Sequence, residues 1–591
     1  MSETNIDATK FVENFTKIAG QSQLLIQEFL ARNKQTASFG TGDPLHVGNA
    51  FAEWFTHLLN DPQKIIELQF NLWQDTMGLF YNTSLKFLGD QGKPFIEPDS
   101  KDRRFKDQAW QESIVFDFVK QSYLLTARWL QQTVEQTDDI DPQTARKIDF
   151  YTRQFVDAMS PSNFFFTNPE VIKTTLETGG DNIVKGLDNL LHDLEKSKSS
   201  LRVSMTDESA FEVGKNLAVT KGKIVYQNDL MQLIQYNPTT EQVNKTPILV
   251  IPPWINKFYI LDLQPENSMV RWLVEKGHTV FVISWANPDE TLGHKSFDDY
   301  MLEGPLAALQ AIEKATGETT INAAGYCLGG TLLAITLAYL KSKKQDHKIK
   351  SATYLTTMLD FKEAGELSVF IDEEQLSSLE ERMAEKGYLD GGDMAGTFNM
   401  LRANDLIWSF VVNNYLLGKD LFPFDLLYWN SDSTRMPATM HTFYLRNMYH
   451  KNLLIKDGGI TIAGVTINLK TINTPTYMLS AREDHIAPWK STYAGTQIFS
   501  GDVRFVLAAS GHIAGVINPP IKNKYSYWVG KELPASPDDW FASTKENPGS
   551  WWTDWEKWNQ KYAGEKVPAR TPGSGALKAI EDAPGSYVKV K

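Results

Sequence analysis

The residues best placed to do chemistry are a cysteine, an aspartate and a histidine that follow one another along the chain, each in the segment after an apolar run. The single cysteine, Cys327, sits in Gly325-Tyr326-Cys327-Leu328-Gly329, between the apolar run Ile321-Asn322-Ala323-Ala324 and a helical stretch, Thr331 to Leu340. A nucleophile held in a sharp strand-to-helix turn needs small residues on both sides, and the two glycines supply them. At the start of the following helix, oriented N–H groups favour the thiolate, which is the reactive form. Asp484 follows the run Thr476-Ser480, and His512, behind Gly511, follows Val503-Leu507. In such a set the histidine deprotonates the thiol or an incoming hydroxyl, while the aspartate fixes its tautomer and stabilises the imidazolium. Glu483 and His485 are local competitors; His485 precedes the last strand and reads as a loop histidine.

Nucleophile, acid and base in that order, each at a strand end, is the arrangement of an α/β-hydrolase. Such a site stabilises its oxyanion with the backbone N–H after the nucleophile, here Leu328, and a second N–H from the loop behind an early strand. That loop is Pro252-Pro253-Trp254-Ile255-Asn256-Lys257; its prolines lack N–H groups, which leaves Trp254 or Ile255 as donor. A thiolate exchanges readily with a thioester, so the substrate expected is an acyl-thioester. Whether the acyl group then meets water or another hydroxyl is open at this level.

The elements that must hold these residues are legible as well. The 591 residues exceed one ordinary core, so two domains are expected. A hydrophobic fraction of 42% and a charged fraction of 22% suit a globular protein, and a formal charge of −13 argues against nucleic-acid binding. One cysteine excludes an intramolecular disulfide and multi-thiolate metal sites. No apolar run is long enough to span a membrane and Met1 to Lys10 does not read as a signal peptide, so the cytoplasm is the expected compartment. Residues 1–200 read as a helical N-terminal domain, with helix starts at Asp61-Pro62 and Asp141-Pro142. Ile66, Phe70, Trp73, Met77 and Phe80 form one apolar stripe, expected to pack on the domain's own helices, with a partner or apolar surface as the alternative. Residues 201–591 read as an α/β catalytic domain with a mostly parallel sheet, its strands at Ile248-Pro252, Val280-Ser284, Ile321-Tyr326, Ala352-Thr357, Thr476-Ser480 and Val503-Leu507. The long interval of about 361–470 reads as an inserted lid, rich in aromatics such as Trp408, Phe410, Tyr415, Phe422, Phe424, Tyr428 and Trp429. Trp551, Trp555 and Trp558 fit one face of a helix docked on the catalytic domain.

These motifs carry a family resemblance. Gly325-Tyr326-Cys327-Leu328-Gly329-Gly330 resembles the G-x-C-x-G-G box of polyhydroxyalkanoate synthases. Pro252 to Lys257, Glu483-Asp484-His485 and Gly511-His512-Ile513-Ala514-Gly515 look like further landmarks of that family, as do Asp102-Arg103-Arg104-Phe105, Pro161-Ser162-Asn163-Phe164, Asn404 to Trp408 and Phe424 to Asn430. The likeness spans roughly residues 100 to 530 and is closest to the single-subunit class I type. It implies polymerisation of short-chain 3-hydroxyacyl-CoA, chiefly 3-hydroxybutyryl-CoA, into polyester. CoA is released as leaving group, and neither a metal nor a separate cofactor is involved. It implies Cys327 as acyl carrier, His512 as base, Asp484 as its orienting acid, and a place near the substrate for Asp262, in Tyr259-Ile260-Leu261-Asp262, and for Asn256. It further implies a homodimer at the surface of polymer granules, with granule-associated proteins as partners of the N-terminal domain. A thioesterase or polyester hydrolase on the same fold, and a granule-coating protein with a vestigial elbow, are the alternatives. Cys327→Ala separates the last from the enzymes: thioester turnover is expected to fall by more than about 10³-fold, and full activity would favour a coat protein.

Overall fold

The computed structural model describes residues 10, 13–14, 16–18, 20–21, 47–89, 92–137, 139–196 and 202–591; the helical reading of residues 1–46 falls mostly outside them. The chain divides into two compact units, 1–207 with 398–422, and 208–397 with 423–591. Among the described residues no helix is long and apolar enough to cross a membrane.

The first unit is helical, with long helices at Val47–Asn60, Pro62–Phe87, Ile114–Glu135, Pro142–Ala158 and Asp181–Lys196. Both Asp-Pro pairs begin helices. Asp61 accepts the Lys64 N–H at 3.0 Å, and Asp141 accepts those of Gln143 and Thr144 at 3.0 Å, with proline in the first turn. Along Pro62–Phe87 the expected stripe does not pack inward. Ile66, Phe70, Trp73, Met77 and Phe80 are 44–69% exposed, and the buried positions are Leu68 and Leu79. Periodicity defined a face correctly but not what covers it.

Residues 398–422 lie inside the interval read as a lid, yet they are part of the helical unit. The Tyr415 hydroxyl donates to the buried Asp193 at 2.6 Å, and Asn182 and Asn189 donate to the Leu416 and Asn414 carbonyls at 2.8 and 3.0 Å. At Gly186 the helix meets this segment so closely that a Cβ would stand 1.9 Å from the Tyr415 carbonyl oxygen.

The second unit is built on an eleven-stranded sheet: β1 Gly222–Gln227, β2 Met231–Tyr236, β3 Ile248–Ile251, β4 Val280–Trp285, β5 Ile321–Tyr326, β6 Ile349–Leu355, β7 Thr476–Ala481, β8 Val503–Ala508, β9 Ser526–Val529, β10 Lys545–Pro548 and β11 Glu581–Asp582. The spatial order is β10-β9-β8-β7-β6-β5-β3-β4-β2-β1-β11. The parallel strands are β4, β3, β5, β6, β7 and β8, the six read from the sequence; the others join the edges antiparallel. Continuous apolar runs form the buried middle, because helices cover both faces of a parallel sheet. Since β5 lies between β3 and β6, the turn after it is flanked by the loops that follow those two strands.

The tryptophan helix, Trp552–Asn559, docks on the same unit. Trp555 donates to Thr353 Oγ1 at 2.9 Å, Trp552 donates to the Val516 carbonyl at 2.9 Å, and Trp551, just before the helix, donates to that of Gly515 at 2.9 Å. Polar ties add to the apolar burial: Glu556 lies 3.0 Å from His278 Nε2, and Asp554 pairs with Arg504 at 2.6 Å.

Candidate active site

Cys327 stands at the bend between β5 and the helix Leu328–Ser342, with φ of +49°. An L-residue other than glycine adopts such a φ only where the surroundings enforce it. Its N–H donates to the Leu355 carbonyl at 2.8 Å, its own carbonyl accepts the Gly330 N–H at 2.9 Å, and Thr357 Oγ1 lies 3.3 Å from that carbonyl. The glycines are required by contact. A Cβ on Gly325 would fall 2.4 Å from Gly330 Cα, and one on Gly329 2.0 Å from the Ile251 oxygen.

Asp484 follows β7 in a tight turn, where one carboxylate oxygen accepts the N–H groups of Ile486 and Ala487, both at 2.9 Å. The other lies 2.6 Å from His512 Nδ1. Both side chains are buried, and the imidazole is close enough to Cys327 for the two to interact electrostatically. The three residues expected from chain order therefore form one line: carboxylate, imidazole, thiol. Burial alone would lower the basicity of His512, but the charge of Asp484 and then that of Cys327 outweigh it and push the imidazole up to about 10. Such a histidine is held as imidazolium, the form that pairs with a thiolate.

Of the expected oxyanion donors, Leu328 opens the helix, where the first N–H groups have no carbonyl partner in a preceding turn. Across from it, the Pro252–Lys257 loop is held at its carbonyls. Trp285 Nε1 donates to Pro252 at 2.8 Å, and Thr434 Oγ1 lies 2.6 Å from those of Trp254 and Ile255. The Trp254 ring packs against Trp285, Phe297 and Tyr300, so this residue has only its backbone to offer the site.

The two expected substrate contacts, Asp262 and Asn256, have local partners of their own. Asp262 is buried, and its carboxylate accepts from the hydroxyls of Thr220 and Ser268, the latter at 2.5 Å. It braces its own turn; burial raises its pKa to about 6 against the opposing pull of those hydrogen bonds. Asn256 forms a one-residue antiparallel bridge to Ser433. Of the local competitors, Glu483 is exposed and donates its N–H to the Ser510 carbonyl at 2.9 Å, and His485 is half-buried in the acid loop.

Three tyrosines at the site escaped the sequence reading. The rings of Tyr444 and Tyr449 meet edge to face at 5.4 Å and lie close enough to Cys327 for its charge to act on both, and Phe361 packs on both rings at centroid distances of 6.0 and 4.9 Å. Residues five apart diverge on an α-helix. Here Leu445–His450 is a π-helical turn, which brings positions i and i+5 together. The third, Tyr326, is the residue between glycine and cysteine in the elbow. None of the aromatics singled out in the lid interval belongs to this group; Tyr428 and Trp429 are core, while Phe422 is 78% exposed.

With that geometry in hand, comparison with known proteins gives consistent relatives. Residues 101–273 match a family model described as the N-terminus of poly-beta-hydroxybutyrate polymerase, and residues 246–519 match the alpha/beta hydrolase fold. The chain is 52% identical over 534 residues to a poly(3-hydroxyalkanoate) polymerase of Methylorubrum extorquens, covering 90% of this chain and 88% of the relative. It is 45% identical over 508 residues to the corresponding polymerase subunit of Cupriavidus necator, covering 85% of each, and 37% identical over 499 residues to polymerase 1 of Ectopseudomonas oleovorans, covering 84% and 88%. Among solved structures, mouse alpha/beta hydrolase domain-containing protein 10 is similar over 49% of this chain and 90% of its own, at 14% identity and a TM-score of 0.29.

The raised His512 fixes the sign of a pH effect. Its charged form is favoured in the folded chain, so the stabilisation is fully present below the ordinary histidine value of about 6.5 and is lost as pH rises through about 10. The thermal-midpoint advantage of the wild type over His512→Gln is expected to shrink between those limits in differential scanning fluorimetry.

Proposed function

The chain belongs to the poly(3-hydroxyalkanoate) polymerase family, and from that membership we propose how its own residues carry out the reaction. It is an acyltransferase that joins hydroxyalkanoate units into polyester. The observation that carries the mechanism is the pair of buried side chains Asp484 and His512 set beside the half-buried Cys327.

The Cys327 thiolate attacks the carbonyl of a 3-hydroxyacyl-CoA thioester. The developing oxyanion is met by the Leu328 N–H and by that of Trp254 or Ile255, each such donor being worth about 3 kcal/mol of barrier. Collapse breaks the C–S bond to CoA, whose sulfur takes the proton from His512. Neutral His512 then removes the proton from the 3-hydroxyl of an incoming acyl group, whose oxygen attacks the acyl-cysteine. An ester forms, and the Cys327 thiolate departs to pair again with imidazolium. Asp484 holds Nδ1 throughout, so that Nε2 faces the reacting atoms. The aromatic cluster of Tyr444, Tyr449 and Phe361, near enough for Cys327 to act on both tyrosines, supports transfer to a hydroxyl over hydrolysis, since bulky rings near the thiol limit the room for water.

The monomers in this scheme are short (R)-3-hydroxyacyl-CoA thioesters, chiefly 3-hydroxybutyryl-CoA. CoA is the leaving group, and no metal or separate cofactor takes part. The working form is a homodimer in the cytoplasm at the surface of the polymer granule. The exposed stripe of Phe70, Trp73 and Phe80 supports an apolar surface or granule-associated protein as partner of the helical unit. Incubation with 3-hydroxybutyryl-CoA is expected to yield insoluble polyester and free CoA; soluble 3-hydroxybutyrate as the main product would make the chain a thioesterase. Replacing Phe70 and Trp73 together by Glu is expected to reduce the protein that sediments with granules while CoA release in solution persists.

A further inference from the structure

Tyr326 immediately precedes the nucleophile, at the last position of β5, and is only 1% exposed. It touches the base rather than the thiol. Its hydroxyl lies 3.0 Å from the main-chain carbonyl of His512, and its ring is stacked on the imidazole at a centroid distance of 5.6 Å with 24° between the planes. We propose that Tyr326 is a positioning residue for the reaction: the hydroxyl pins the backbone of His512, and the aromatic face fixes the plane of its ring.

The loop that carries His512 needs such a support. Ser510, two residues earlier, has φ of +75°, a conformation that a serine leaves unless its surroundings hold it. The loop is tied at Ser510 by the Glu483 N–H, at 2.9 Å, and at Gly515 by Trp551 Nε1, at 2.9 Å. Between these ties, the bond from Tyr326 falls on His512 itself. Together with Asp484 at Nδ1, it holds the imidazole at both ends, at its main chain and at its ring.

The support is also stiff. Tyr326 pairs with Leu355 in the middle of the sheet, and Gly325 before it pairs with both Ile251 and Tyr354. Nucleophile and base are therefore referred to one piece of backbone, with the thiol on one residue and the prop for the imidazole on its neighbour. Burial, and then the charges of Cys327 and Asp484, raise Tyr326 well above the ordinary tyrosine range, so the phenol stays protonated and donates to the carbonyl. A flat ring against an imidazolium is favourable as well, through the attraction of a cation to the π face. The titratable groups around this pair are Asp484, Cys327, and the phenols of Tyr444 and Tyr449 that feel Cys327.

The inference rests on the proposed roles of Cys327 and His512, so its test carries a control for them. Full-length wild type, Tyr326→Phe, Tyr326→Leu and His512→Gln are compared in kcat and KM for CoA release from 3-hydroxybutyryl-CoA. The same proteins are compared in the pH profile of Cys327 alkylation by iodoacetamide, and in thermal midpoint. Phenylalanine keeps the packing and removes the pin; leucine removes the stacked face as well. Tyr326→Phe is expected to lower kcat by about fivefold to twentyfold with KM changed by less than about twofold, and to slow alkylation at neutral pH, because a loosened base no longer meets the thiol in a reactive geometry. Tyr326→Leu is expected to go further in the same direction. A Tyr326→Phe enzyme with wild-type kcat and alkylation profile overturns the proposal, as does lost activity that follows lost thermal stability with an unaltered profile. If Tyr326→Leu does not fold, Tyr326→Phe decides alone. An alkylation profile left unchanged by His512→Gln overturns the triad itself, an outcome distinct from failure of the tyrosine.

Discussion

A cysteine at φ +49° carries strain of order 1–3 kcal/mol, and the catalytic unit can be understood as the means of keeping it there. The strand before it is fixed on both sides by parallel neighbours, and the helix after it starts at the next residue. Backbone closes in so tightly at Gly325 and Gly329 that neither position admits a side chain. The loops after β3 and β6 flank the bend because those strands flank β5, and the acid and base arrive on the loops after β7 and β8, the next two strands outward. The order of strands in the sheet thus becomes the order of functional groups around one sulfur.

The second constraint is electrostatic. Asp484 and His512 are buried, and a buried charge is tolerated only when it is paired and hydrogen bonded. The carboxylate meets this condition fully, with two backbone N–H groups on one oxygen and the imidazole at the other. The same arrangement that satisfies Asp484 makes His512 strongly basic, so the requirement for stability and the requirement for chemistry are met by one set of bonds.

How much of this was legible in the sequence depended on whether a signal was local. The six parallel strands announced themselves because a doubly covered strand must be apolar throughout. The edge strands did not: β10 reads Lys-Glu-Asn-Pro and β2 intersperses glutamine among apolar residues, patterns that many loops share. Cys327, Asp484 and His512 were legible because each lies within four residues of the end of its strand. What Asp262 touches was not legible, because family likeness says nothing of a carboxylate's partners, here Thr220 and Ser268. Tyr444 and Tyr449 were hidden by the π turn between them, and Tyr326 by its place as the variable letter of a motif whose flanking glycines drew attention. The stripe of Phe70 and Trp73 had the right period, but a period reports that residues share a side and not that anything lies against it.

The polypeptide leaves the catalytic unit at residue 397, contributes 398–422 to the helical unit, and returns at 423. The boundary near residue 207 is therefore one of three crossings, and no single scission separates the two bodies. A fragment that begins at 208 retains the borrowed piece without the helices that receive it, leaving the Tyr415 hydroxyl without Asp193 and two backbone carbonyls without Asn182 and Asn189. For anyone dissecting the protein, the natural catalytic fragment is discontinuous and calls for a short artificial linker in place of those twenty-five residues.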